Sequence, residues 1–405
     1  MEEVKETSAV HDVTELEKHY LLGTYARFPV VFTKGKGVFV EDINGKKYLD
    51  MISGLGVNAL GYAHPRIVKV IREQAAKLIH ISNLYYNQYQ GPLAKKLIEA
   101  SGLSRVFFSN TGTEAMDGAI KFARAHGHKV GGEGKFKLVA ATNSFHGRTY
   151  GGMSLTATAK YRDDFKPLLE GVTFIDLNDI EALRAAVDDS TCGVFLETVQ
   201  GEGGIFECTS EFLQAARQVC NQHRAALVLD EIQCGLGRTG EMFAFKHHGV
   251  TPDILTVAKP LAAGLPLGAI IVTQEIADVI SAGKHGTTFG GGPLACRTAL
   301  EFLSIIEEDH LLEHVQKVGA YFHQELVNLR DNFALVREVR GRGLMLALDL
   351  NIPSRPYADA ALVAGVLINS THDTTLRFLP SFITEEKHVD KTIKVLKKLL
   401  KKKIE

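Results

Sequence analysis

No apolar stretch in this chain is long enough to span a bilayer, and a net charge of -1 gives nucleic acid or an anionic membrane nothing to attract. Cysteine is scarce. Cys192, Cys208, Cys220, Cys234 and Cys296 are odd in number and lack metal-ligand spacing, so they read as reduced thiols of a cytoplasmic protein. His126, His128, His247 and His248 form neither an HExxH pattern nor a Cys/His cluster; they read as surface or helix-end residues, with no metal. The Gly-Lys pair of a nucleotide-binding P-loop is missing, which removes support for nucleotide hydrolysis. The first twenty residues are acidic and polar, unlike a secretory signal or an arginine-rich transit peptide. There is no internal repeat and no low-complexity linker.

What is present suits a metabolic enzyme. With 405 residues, 45% of them hydrophobic, the chain can bury a large core in two or more domains. Its 38 glycines imply tight turns and close backbone approaches. Residues 1–60 hold a short polar helix and a strand-like run, Gly37 to Asp42, ending at an Asn44-Gly45 turn. They read as an N-terminal segment joining a smaller domain. Residues 61–295 alternate helical periods with apolar runs at 136–142, 192–199, 225–232, 254–258 and 267–272. Such runs predict an α/β large domain, a mainly parallel sheet flanked by helices. Residues 296–405 read as a smaller α+β domain, entered through helices at 294–308 and 313–333 and with strands around Gly341-Arg342-Gly343. The lysine-rich end, Lys391 to Lys403, reads as a packed amphipathic helix with its lysines in water, the alternative being a basic membrane or nucleic-acid helix.

Two residues at the ends of apolar runs carry the chemistry. Lys259 follows Leu255-Thr256-Val257-Ala258. Burial disfavours its charge, and a neutral amine can form an imine with an aldehyde cofactor. Asp230 ends another such run and can keep a proton on the ring nitrogen of that cofactor, so the pair suggests pyridoxal 5'-phosphate. Either residue alone is weak evidence, because a strand-terminal Asp or Lys is usually structural or merely exposed. Ser109-Asn110-Thr111-Gly112-Thr113-Glu114 precedes a helical pattern and offers free N–H groups, a glycine and hydroxyls to a phosphate; an ordinary N-cap is the plainer reading. Phe145-His146-Gly147-Arg148 places a ring, an imidazole and a guanidinium in one turn, suited to a flat cofactor and a carboxylate. Thr287-Thr288-Phe289-Gly290-Gly291-Gly292-Pro293 is a second candidate phosphate contact, or a plain glycine loop.

Taken jointly, these motifs resemble the fold-type I, class III pyridoxal-phosphate-dependent aminotransferases, and within them the enzymes acting on N2-acetyl-L-ornithine. The resemblance extends from Tyr25-Ala26-Arg27 and Ser53-Gly54-Leu55-Gly56-Val57-Asn58 to Leu376-Arg377-Phe378-Leu379-Pro380. It implies a seven-stranded type of sheet and a homodimer with shared active sites. Lys259 would be the catalytic lysine, Asp230 the ring-nitrogen partner and Gln233 the neighbour of the phenolic oxygen. Gly112 and Thr113 would bind the phosphate, with His146 beside the cofactor and Phe145 stacked on its ring. Thr288 would contact the phosphate across the subunit interface. Arg148, Thr287, Arg377, Glu197 and Tyr25 would meet substrate. Glu202 would cover Arg377 while the terminal amine of acetylornithine reacts, and leave it when glutamate or 2-oxoglutarate presents a carboxylate; a plain structural salt bridge is the alternative. Tyr62, Met116-Asp117, Thr198 and Gly292 depart from the usual pattern. Ornithine δ-aminotransferase, succinylornithine and 4-aminobutyrate enzymes share nearly all these residues. An aminomutase or a non-catalytic pyridoxal-phosphate-binding homologue are further alternatives.

Overall fold

The computed structural model describes residues 8–402. The first seven residues of the N-terminal segment, and Lys403 at the lysine-rich end, lie outside the described residues. A seven-stranded sheet forms the centre, in the spatial order Arg105–Ser109, Gly268–Val272, Ile254–Val257, Ala226–Asp230, Thr191–Glu197, Lys137–Ala141, Val172–Ile175. The strands run parallel except Gly268–Val272, which is antiparallel to both neighbours.

The central strands form because their residues serve two cores at once. Every residue of Thr191–Glu197 and of Ala226–Asp230 is buried. Their side chains alternate between faces: Leu227, Leu229, Val194 and Leu196 join one apolar cluster, and Ala226, Val228 and Phe195 the other. Each such Val, Leu or Phe contributes about 1.5–3 kcal/mol of hydrophobic stabilisation. The apolar runs predict five of the seven strands. Arg105–Ser109 and Val172–Ile175 escape that pattern because they are the sheet edges, and their outer residues are only partly covered.

Two four-stranded sheets and one short two-stranded sheet, Val199–Gln200 with Phe206–Glu207, complete the scaffold among the described residues. One four-stranded sheet orders Phe32–Lys36, Phe39–Asp42, Lys47–Asp50 and Val366–Leu367, with the expected turn at Asn44-Gly45. There the Asp42 carboxylate accepts the backbone N–H groups of Asn44 and Lys46, both at 2.9 Å. The other orders Val336–Arg342, Met345–Leu350, Thr375–Phe378 and Asn369–Thr371, the last as an edge strand. The helix Glu386–Lys402 buries Val389, Ile393, Leu396, Leu399 and Leu400 and turns its lysines outward. No helix among the described residues is long and apolar enough to cross a membrane. The expectation of a surface or helix-end place fails for His126, which is buried within the helix Gly112–Gly131; His248 does end the short helix Ala244–His248, though buried, with its Nδ1 3.0 Å from the Ser210 hydroxyl.

Candidate active site

The carboxyl ends of the parallel strands deliver the site. Register sets Asp230 beside Glu197 on one neighbouring strand and beside Thr256 on the other, and Lys259 follows two residues after the Ile254–Val257 strand. Ligands of open α/β sheets bind at this edge. A cavity of about 450 Å³ opens there, lined among others by Asn110, Gly112, Thr113, Phe145, His146, Arg148, Glu197, Glu202, Asp230, Gln233 and Lys259.

Asp230 is held from two sides. Its Oδ2 lies 2.8 Å from His146 Nδ1, and its Oδ1 accepts the Ile232 N–H at 3.0 Å. Burial alone would lower the His146 pKa, but the bond to Asp230 and its charge prevail and raise it. His146 Nε2 is buried without a partner. Burial pulls Lys259 below the ordinary lysine range, against the charges of Glu202 and Asp230, which makes its neutral amine accessible. Glu197 is pushed up to about 7 chiefly by burial, and its carboxylate takes the N–H groups of Phe145 at 2.8 Å and Gly201 at 3.0 Å.

A seat for an anion stands at the start of the helix Gly112–Gly131. Thr111 caps it, accepting the Glu114 N–H at 3.3 Å, and leaves the first turn open. A Cβ on Gly112 would come within 2.8 Å of the Ile232 side chain, so only glycine lets this loop close on its neighbour. Thr113 Oγ1 accepts the N–H groups of Arg148 and Thr149, each at 3.1 Å, and ties the two loops together. The Arg148 guanidinium sits over the Tyr161 ring, 3.8 Å from its centre, and Tyr161 meets Phe145 edge-on at 6.0 Å. Nothing in the motifs points to Tyr161, because its role depends on a turn folded back from later in the chain.

Arg377 is buried against Glu202 and Gln233, two residues of the cavity lining. Its Nη1 donates to Glu202 Oε1 at 2.6 Å, to the Gly201 carbonyl at 2.9 Å and to Gln233 Oε1 at 3.2 Å, and its Nε donates to Asn369 Oδ1 at 2.8 Å. Burial would raise the Glu202 pKa, but the adjoining guanidinium outweighs it and holds the carboxyl below its usual range. Four expected residues do not line the cavity of the single chain: Arg377, which reaches it through Glu202 and Gln233, and Thr287, Thr288 and Tyr25. Thr288 and Tyr25 are exposed, and Thr287 reaches the site only through Asn110, whose amide donates to the Thr287 hydroxyl at 3.0 Å. Sequence reasoning also misses Glu231, fully buried beside Asp230, whose carboxylate accepts the N–H groups of Ala244 at 2.7 Å and Phe245 at 2.6 Å and the Thr198 hydroxyl at 3.0 Å.

The donor set fits pyridoxal phosphate: a glycine-closed helix start for the phosphate, a buried carboxylate for the ring nitrogen, an aromatic wall and a neutral-leaning amine in one cavity. Among the described residues no group of three or more His, Cys, Asp or Glu could hold a metal ion.

Comparison with known proteins agrees with this geometry. The chain is 49% identical over 382 residues to an acetylornithine aminotransferase of Methanocaldococcus jannaschii, covering 94% of this chain and 96% of the relative. It is 44% identical over 382 residues to the acetylornithine aminotransferase of Aquifex aeolicus, covering 94% and 100%. Among solved structures, the ornithine aminotransferase of Toxoplasma gondii superposes with a TM-score of 0.94 at 33% identity, over 98% of this chain and 97% of that one. An acetylornithine aminotransferase of Elizabethkingia anophelis superposes at 0.86 with 31% identity, over 97% and 99%. The family profile "Aminotransferase class-III" matches residues 23–400, and the chain belongs to that family.

Proposed function

We propose that this chain transfers the terminal amino group of N2-acetyl-L-ornithine to 2-oxoglutarate, giving N-acetyl-L-glutamate 5-semialdehyde and L-glutamate, a step of arginine biosynthesis. The observation that carries the reading is the pairing of Arg377 with Glu202, which lines the Lys259 cavity. One site must serve an amine with no neighbouring carboxylate and then a dicarboxylic acid. A guanidinium that is covered for the first and uncovered for the second meets both demands.

Lys259, Asp230, Gln233, Gly112 and Thr113 would hold pyridoxal phosphate, with Phe145 over its ring. When bound, the cofactor supplies an electron sink for the bond broken at the amine-bearing carbon. Lys259 Nζ, kept toward its neutral form by burial, takes the proton from that carbon. Asp230, fixed by His146, keeps a proton on the ring nitrogen. Arg148 and Arg377 are the cations offered to substrate carboxylates, Arg377 once Glu202 has moved.

In this reading residues 61–295 form the cofactor-holding domain, and Arg377 comes from the 296–405 unit, joined by residues 1–60. A homodimer completes the site. Ile79, Leu84, Tyr85, Tyr86 and Phe289 are exposed, and Asn83 binds the carbonyls of Thr287 and Gly290, so the apolar surface is continuous with the loop that carries Thr287 and Thr288. Tyr25, 72% exposed in the single chain, is the other residue a partner could cover. Five free, buried cysteines suit action in the cytoplasm.

Ornithine is the competing amine, since a Toxoplasma ornithine aminotransferase shares the fold so closely. The relatives of higher identity, 44–49% over nearly the whole chain, are named acetylornithine aminotransferases and favour the acetylated substrate, whereas among the solved structures the two kinds stand level at 31% and 33%. The test is the visible absorbance of the cofactor-loaded protein, followed after acetylornithine or ornithine is added without an oxo acid. A faster loss of the band with the acetylated amine supports the proposal, and equal or faster conversion by ornithine replaces it.

A further inference from the structure

The loop that carries Glu202 is held far more firmly than its side chain. It joins two short antiparallel strands, Val199–Gln200 and Phe206–Glu207, and is closed by the Ile205 N–H on the Gln200 carbonyl at 3.0 Å. Within it, the Gly201 N–H is taken by Glu197 at 3.0 Å and the Gly201 carbonyl by Arg377 at 2.9 Å. The Thr371 hydroxyl donates to the Glu202 carbonyl at 2.8 Å. Arg340 grips the Gly204 carbonyl with Nε at 3.0 Å and Nη2 at 2.9 Å, while its guanidinium rests on the Phe206 ring at 4.1 Å and pairs with Asp349 at 3.3 Å. Gly204 has a φ of +108°, and a Cβ there would come within 3.1 Å of Phe206 and 3.3 Å of His372, so the loop is pressed against the tip of the next hairpin.

That hairpin explains the arrangement. Thr371 and Asn369 are alternate residues of the edge strand Asn369–Thr371 and share a face, and Asn369 pairs across the ladder with Arg377. One rigid element thus supplies the cation, the amide that orients it and the hydroxyl that fixes the carbonyl of its counter-ion's residue.

We propose that Thr371 and Arg340 are positioning residues that keep the main chain of residues 201–204 still, so that Glu202 uncovers Arg377 by turning its side chain alone. This rests on reading Glu202 and Arg377 as a removable pair. Turning the side chain gives up its contacts with Arg377 and Gln233, whereas moving the loop also breaks at least the four main-chain contacts above. Holding the loop keeps Glu202 over Arg377 by default. Loosening it leaves the guanidinium uncovered more of the time and favours dicarboxylates over acetylornithine.

The experiment uses the cofactor-loaded protein and glutarate, a dicarboxylate with neither amine nor oxo group, as an equilibrium probe. It is paired with the ratio of kcat/KM for glutamate to that for acetylornithine. Thr371→Val should tighten glutarate about threefold to tenfold, the scale of one hydrogen bond, and raise the ratio by a similar factor; Thr371→Ser should restore both. If Thr371→Val does not fold, Arg340→Met should move both readings in the same direction. The inference is overturned if these variants lower both substrates equally and leave glutarate unchanged while Glu202→Ala tightens it. If Glu202→Ala leaves glutarate unchanged, the removable pair itself is refuted and the inference goes with it.

Discussion

Two charged pairs serve the same cavity and are built in opposite ways. His146 and Asp230 stand 2.8 Å apart with 0% and 4% of their side chains exposed. Arg377 and Glu202 are closer, at 2.6 Å, yet Glu202 is 29% exposed against 1% for Arg377. Separation therefore does not tell a fixture from a switch. Where both partners are enclosed, neither can recover water by leaving, and the pair is permanent. Where one carboxylate keeps contact with solvent and its cation keeps neutral acceptors, as Arg377 does with Asn369, Gln233 and Gly201, the carboxylate can depart without stranding a charge.

The largest test removes what both pairs serve. Lys259→Ala should lower turnover by roughly 10²–10⁴-fold or more, because no other group near the amine-bearing carbon can exchange its proton. Substantial steady-state activity in that variant would refute the role of Lys259. The next test addresses the pairs directly. Asp230→Ala should cost about 3–5 kcal/mol of stability in denaturant titrations, since it isolates a buried His146. Glu202→Ala should cost only about 1.5 kcal/mol, since Arg377 keeps its other partners. Equal losses would break the distinction between fixture and switch.

A subtler separation comes from pH. Glu197 and Glu231 each rise from 4.5 to about 7 on burial, so between those values the folded chain holds protons that the unfolded chain has released. Their contribution is therefore complete below pH 4.5 and lost as pH rises toward 7. Glu202, held down by Arg377, has the opposite sign: its stabilisation is present above 4.5 and is lost as pH falls through its lowered value. Glu231→Gln should flatten the pH dependence of the denaturation midpoint between 4.5 and 7, and Glu202→Gln should change only the acid side. The smallest effect is an absence. All five cysteines are buried, and burial pushes the thiols of Cys192, Cys220 and Cys296 up to about 12. Native protein should resist thiol reagents, and all five cysteines should react once it is unfolded.

Legibility in the sequence follows the range of the interaction. Lys259, Asp230, Gly112, Thr113 and Phe145 lie in local motifs whose strand-to-loop position is readable from apolar runs, and the fold brings them to one cavity. Asn369, Thr371 and Arg340 were not readable. The contacts that tie them to the loop, Thr371 with the Glu202 carbonyl and Arg340 with the Gly204 carbonyl, join residues more than a hundred positions apart, and nothing in their own neighbourhoods marks them. Glu231 is illegible for another reason. Next to Asp230 in the motif, it points the other way along the strand, into a hydrogen-bonded pocket of backbone N–H groups that only the folded 243–245 segment creates. Edge strands are lost to partial exposure, and Thr288 and Tyr25, named from the motifs and the resemblance, lie exposed outside the cavity of the single chain.

The order of strands in the central sheet also bears on how the protein is made. Ser109, at the end of the strand that leads into the phosphate seat, pairs with Gly268, about 160 residues further on. A nascent chain must therefore be two-thirds synthesised before this strand finds its neighbour, and until then its edge is open to pairing with other chains. Such distant pairing slows folding, so a cell that makes this protein quickly has most to gain from chaperones during the synthesis of residues 110–268.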